Sequence, residues 1–100
     1  MNSMSIKVGM AIVPYLSIER QVQTAVMLEK LGFDSAWWPD HILFTDQANG
    51  YDAWTVMAVA ASRTRRISIG TAVTDPHRVH PAVFAQRAAT LDQLSRGRLM

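Results

Sequence analysis

All three histidines lie in two short stretches, Asp40-His41 and Asp75 with His77 and His80, each beside an aspartate. An imidazole takes or gives a proton near neutral pH. A carboxylate beside it accepts hydrogen bonds from a hydroxyl or from the N–H of a heterocycle. Asp40-His41 therefore supports two readings. In one it performs acid–base chemistry on a bound ring. In the other Asp40 caps a short turn and His41 packs under Trp38. For the second stretch the chemistry to weigh is metal binding, because His77 and His80 lie three residues apart with carboxylates near them. The structural reading is preferred there: His80 precedes Pro81 and shapes a helix entrance, and Asp75 precedes Pro76 as a turn residue.

These residues depend on the elements that carry them. Lys7 to Val13 is a short apolar run closed by Pro14, fit for a strand buried on both faces. Ser17 can cap the helix that follows, although Arg20 stands where a capping box would have Glu. Ile18, Val22, Ala25 and Val26 form its stripe, and Lys30-Leu31-Gly32 supplies a basic last turn and a stop. A second strand, Ser35 to Trp38, is cut off by Pro39 and leads into a loop of roughly a dozen residues, long for such a connection and a candidate functional loop. Asp52 caps a second helix from Ala53 to Ser62, which is apolar almost all round and must be covered on more than one side. A third strand runs from Ile67 to Val73. Pro81 opens a third helix with Phe84, Ala88 and Leu91 inward, Asp92 and Arg96 spaced as an i,i+4 pair, and Gly97 as its end. Arg98 to Met100 begins a fourth strand.

Strand starts recur about every thirty residues, each followed by a helix. That is the rhythm of a parallel sheet. The turn after the first strand, Val13-Pro-Tyr-Leu-Ser17, lacks the glycines of a dinucleotide-binding open sheet, which favours a TIM (β/α)8 barrel. A complete barrel needs roughly 250 residues. The expectation is therefore a truncated α/β chain: residues 1–100 as the N-terminal part of one barrel domain, with three βα units and the start of strand four. Barrel chemistry occurs at the carboxyl ends of the strands, here segments 14–17, 39–52 and 74–80, which hold both histidine stretches. Metal-dependent hydrolase barrels usually carry His-x-His on the first strand, and this one has none, so no metal is expected. The arginine clusters at Arg63 to Arg66 and Arg96 to Arg98 fall at the opposite face, where solvated helix-end charges are expected.

Composition narrows the field further. Nearly half the chain is apolar and the net charge is only +2, which fits a folded domain and gives no ground for a nucleic-acid partner. No cysteine is present, so disulfides and thiolate metal sites are excluded. No basic-then-apolar leader and no run of spanning length is found, so the expected location is cytoplasmic and no membrane partner is expected.

Gly32-Phe-Asp-Ser-Ala-Trp-Trp-Pro-Asp-His41 resembles the strand-two signature of the bacterial-luciferase-like oxidoreductases. Ile69 to Val83 is similar to their strand-three segment, and Ala89 to Leu99 to the segment before their fourth strand. The Asp-His ending, where the flavin monooxygenases commonly have Glu-His, resembles the branch that uses the deazaflavin coenzyme F-420, which includes the methylenetetrahydromethanopterin reductases. The resemblance implies a hydride-transferring oxidoreductase acting on a small-molecule substrate, with His41 catalytic and with Asp40, Ala72, Val73 and Thr74 binding the coenzyme. It also implies a non-proline cis peptide in a bulge at Ala72-Val73 and a homodimer formed through the early helices. An FMN-dependent monooxygenase is the alternative, and a non-catalytic relative or inactive fragment the second.

Overall fold

The computed structural model describes residues 5–45 and 48–100, with side chains described outside 43–49. Its elements are β1 (Gly9–Ala11), α1 (Ile18–Lys30), β2 (Ser35–Trp38), β3 (Leu43–Thr45), β4 (Ala48–Asn49), α2 (Ala53–Ser62), β5 (Ser68–Thr71) and α3 (Pro81–Leu94). β1, β2 and β5 form a parallel sheet in that order, so each new strand is added beside the last, as barrel closure requires. An open dinucleotide-binding sheet would instead reverse direction at its middle. Past α3 the chain returns to the sheet: the Ile69 N–H donates to the Arg98 carbonyl, and the Met100 N–H to that of Ile69. The expected fourth strand does begin here.

The helices end where the sequence supplies the chemistry to end them. Ser17 Oγ accepts from the Arg20 N–H at 3.2 Å and caps α1. Gly32 takes a left-handed φ of 91°, which lets the Phe33 N–H reach the Leu28 carbonyl. Asp52 caps α2 through the Thr55 N–H. α3 closes differently from expectation. Arg96, not Gly97, occupies the first left-handed position, with φ 59°. Having left the helix there, Arg96 forms no ion pair with Asp92.

All three helices pack on one face of the sheet. Ile12, Ala36, Trp38, Ile67 and Ile69 face them from the strands, and Val22, Ala25, Leu28, Val56, Met57, Ala60 and Leu91 answer from the helices. The buried stripe of α1 is Gln21, Val22, Ala25 and Leu28, whereas Ile18, expected inside, is exposed. The Gln21 amide caps the turn after β1 by donating to the Pro14 and Leu16 carbonyls, and its oxygen accepts from Trp38 Nε1. The apolar α2 lies between α1 and α3 against β5, so cover for it comes from within the chain.

On the other face of the sheet, Trp37 lies across its neighbours. A Cβ at Gly9 would fall 2.7 Å from its Nε1, and one at Gly70 2.7 Å from its Cζ3. The indole therefore spans from β1 to β5 where both strands lack a side chain, and its Nε1 donates to Ser35 Oγ at 2.8 Å.

Candidate active site

Parallel pairing of β2 with β5 continues beyond the strands themselves. The Ala72 N–H donates to the Trp38 carbonyl, and the Asp40 N–H to the Val73 carbonyl at 2.9 Å. This brings Asp40-His41 beside residues 72–74, as expected of neighbouring strands about 4.8 Å apart. The Ala72-Val73 peptide is cis, at the position the resemblance implied. Within the loop expected at 39–52, Leu43–Thr45 and Ala48–Asn49 form an antiparallel pair, β3 with β4.

Asp40 is 5 % exposed, and its carboxylate is occupied by groups of its own chain. Oδ2 accepts from Thr74 Oγ1 at 2.6 Å and from Trp54 Nε1 at 3.1 Å, while Oδ1 pairs with Arg78 Nη2 at 2.7 Å. The same Nη2 donates to the Asp40 carbonyl at 2.8 Å. Burial alone would raise this carboxyl's pKa. The hydrogen bonds from Thr74, Arg78 and Trp54, with the Arg78 charge, outweigh burial and hold it below the usual carboxylate range. Asp40 is thus a buried hub joining α2, the β2 rim and the loop after β5. It does not cap a local turn.

Around this hub the neighbouring side chains turn outward. His41 is exposed, whereas Trp38 is 1 % exposed and bonded to Gln21 in the helix layer, so His41 does not pack beneath it. Val73 and Ile42 are 68 % and 66 % exposed. The rim therefore offers an imidazole and two apolar side chains, a combination that suits a flat, largely apolar heterocycle with a polar edge. Cavities of about 210 Å³ and about 180 Å³ lie here, and Asp40, Ile42, Asp52 and Arg78 line both.

The other candidates have structural partners. Asp75 Oδ1 accepts from the His77 N–H, shaping the turn, and His80 Nδ1 accepts from the Ala82 N–H as the N-cap of α3. Among the described residues no three of His, Asp and Glu are grouped to hold a metal. A larger cavity, about 480 Å³, lies at the opposite end between Thr64, Arg65, Arg96 and Arg98. No histidine or carboxylate lines it, whereas Asp40 and Asp52 line both smaller ones. The arginines there are not simply solvated, as expected. Arg98 donates to the carbonyls of Ala61, Thr64, Ile67 and Ser95 and to Thr64 Oγ1. Arg66 donates to those of Glu29 and Phe33.

Arg78, Trp54, Glu29 and Arg98 were not singled out as interacting residues in the sequence. For Arg78 a signal existed: a carboxylate closing a buried strand needs a cation, and Arg78 stands in the loop after the adjacent strand.

Comparison with known proteins follows the same lines. The family model described as Luciferase-like monooxygenase matches residues 3–100. The F-420-dependent glucose-6-phosphate dehydrogenase of Amycolatopsis mediterranei (strain U-32) is 43% identical over 82 residues, covering 79% of this chain and 25% of that protein. The 5,10-methylenetetrahydromethanopterin reductase of Archaeoglobus fulgidus is 33% identical over 95 residues, covering 92% of this chain and 26% of the relative. In structure, an F-420-dependent secondary alcohol dehydrogenase in complex with an F-420–acetone adduct superposes with a TM-score of 0.84 at 34% identity, over 96% of this chain and 30% of that one. The chain thus spans about a quarter of the length of these curated relatives.

Proposed function

This chain belongs to the luciferase-like monooxygenase family, and from that membership we propose that it forms part of an oxidoreductase passing a hydride between coenzyme F-420 and a carbon of a small organic substrate. The observation that carries the reading is the rim itself. An exposed imidazole follows directly on a buried aspartate whose N–H is bonded to the carbonyl of Val73. Relatives named for F-420 match most of the chain around it and support the same cofactor.

In this reading His41 gives or takes the substrate proton, and Ala72 and Val73 back the coenzyme ring. Thr74 and Asp40 hold that backing from behind, since the Asp40 carboxylate already accepts from its own chain. A bound deazaflavin supplies two-electron hydride chemistry and reacts poorly with oxygen. The protein is cytoplasmic and homodimeric, with neither nucleic acid nor membrane as partner. The exposed Ile18, Met27 and Leu31 of the first helical unit favour association through it, and among the described residues no helix is long and apolar enough to cross a membrane.

The family's monooxygenase description keeps an FMN-dependent, oxygen-activating enzyme as the second reading. The test is titration of the purified protein with F-420 and with FMN, followed by visible absorbance. Binding and substrate-dependent reduction of F-420, indifferent to oxygen, is expected. Turnover with FMN that consumes oxygen, without any with F-420, would move the assignment to the monooxygenase. Failure of both cofactors to bind would leave a non-catalytic relative.

A further inference from the structure

Among the side chains at the rim, Arg78 belongs neither to the core nor to the exposed surface. It sits between the two rim cavities, and its Nε is buried without a hydrogen-bond partner. Its Nη2 binds two different oxygens of one residue, the Asp40 carboxylate at 2.7 Å and the Asp40 carbonyl at 2.8 Å. That carbonyl is the oxygen of the peptide bond joining Asp40 to His41. One guanidinium therefore fixes the peptide plane from which the His41 side chain departs.

We propose that Arg78 is a positioning residue of this site: by holding the Asp40–His41 peptide it sets the imidazole relative to the Ala72-Val73 segment.

Four further bonds make the arrangement a rigid relay. The Asp40 N–H is fixed to the Val73 carbonyl, and its Oδ2 to Thr74 and Trp54. Asp40 is thus tied to the segment that backs the proposed ring, and Arg78 adds the constraint on its far side. Arg78 is itself located by the turn in which its N–H donates to the Asp75 carbonyl at 3.4 Å, just before α3 is capped. Lysine would keep the charge, but as a flexible point donor it lacks the planar guanidinium geometry found here. A positioned acid–base group loses rate steeply when displaced, so a structural bond one residue away acts on turnover.

The inference rests on the hydride-transfer reading for its kinetic arm and is independent of it for its spectroscopic arm. Arg78→Lys and Arg78→Ala are prepared in the protein that carries this chain and assayed with F-420. Turnover is expected to fall by up to roughly 10²-fold in both, with KM changing little. Millimolar guanidinium is expected to restore part of the alanine variant's rate, and methylammonium is not. In the same proteins without cofactor, the imidazole resonances of His41, followed by NMR, are expected to shift or broaden in both variants. Full turnover in either variant, with only a lower melting temperature, would overturn the proposal and leave Arg78 a stabilising residue. Unchanged His41 resonances would overturn it as well. Should the parent protein show no F-420 turnover, the functional reading fails while the resonances still decide the role of Arg78.

Discussion

At the amino end of the sheet, Glu29 and Arg98 direct their hydrogen bonds almost wholly at main chain. Glu29 Oε2 accepts the N–H groups of Arg65, Arg66 and Ile67 at 2.8, 2.6 and 3.0 Å, and Arg98 reaches four carbonyls. At the carboxyl end, Asp40 takes side chains from three separate segments, Trp54, Thr74 and Arg78. Both ends neutralise buried or half-buried charge, but with different results. The amino end closes on itself and ties turns to helices. The carboxyl end uses its ion pair as an inner frame and leaves His41, Ile42 and Val73 facing outward. Charge at one end ties turns to helices, and at the other it frames an exposed imidazole and two exposed apolar side chains. That division matches the general separation of stability and chemistry between barrel faces.

The sharpest way to break this contrast is at His41. Replacing it with Gln is expected to lower turnover of the enzyme roughly 10²–10⁴-fold, the usual contribution of a general acid or base, and to leave the melting temperature nearly unchanged. Full activity with a lower melting temperature would mean that the rim is structural too. The converse substitution, Arg98→Ala, is expected to cost about 2–4 kcal/mol in urea unfolding, because it strands several carbonyls at once. Turnover per folded molecule should stay the same. A loss of turnover without a loss of stability would join the two ends functionally.

Titration gives a third, smaller effect. Burial raises the Glu29 pKa, but the N–H groups of residues 65–67 and the Arg98 charge more than offset it, so the carboxyl lies below its ordinary range. A depressed carboxylate contributes stability in full above its unfolded pKa, about 4.3 for Glu. That contribution is lost as pH falls through the lower folded value. Glu29→Gln should therefore be less stable than the parent by about 1–2 kcal/mol at neutral pH. The gap should narrow below about pH 4. A gap of constant size down the acid limb would show that the charge on Glu29 is not what holds the turn. The smallest expected change is at His80, which shares a face with His41 but only caps α3. His80→Ala should cost about 1 kcal/mol of stability, His80→Asn little, and neither should alter turnover.

How far the sequence could be read follows from the range of each interaction. The caps at Ser17 and Asp52 and the alternation of the three parallel strands with their helices come from local pattern and are found as expected, whereas the β3–β4 pair in the long loop was not foreseen. The cis Ala72-Val73 peptide was reached through resemblance, since nothing local to those residues requires it. Most of the contacts that were missed join residues 31–38 positions apart: Arg78 to Asp40, Arg98 to Thr64 and Ile67, and Glu29 to residues 65–67. Such partners are set by how successive βα units stack, and helical or strand periodicity carries no record of that. Ile18 misled for a related reason. It lies on the apolar stripe of α1 by spacing, but Gln21 takes the inward place because its amide caps the turn after β1.

The indole of Trp37 between Gly9 and Gly70 also bears on mutational history. A methyl group at Gly9 would meet both Ser35 Oγ and the Trp37 ring, and one at Gly70 would meet the ring together with the Met100 carbonyl at 2.8 Å. Positions 9, 37 and 70 therefore cannot drift independently. A lineage starting from this chain must shrink the tryptophan before either glycine can acquire a side chain. At position 70 it must also move the backbone of the next strand. Single substitutions at the glycines should be rejected here, yet position 9 should tolerate alanine in a background where residue 37 is already small and residue 35 has lost or turned away its hydroxyl. This dependence on order predicts which pairs of residues could coexist in descendants of this protein.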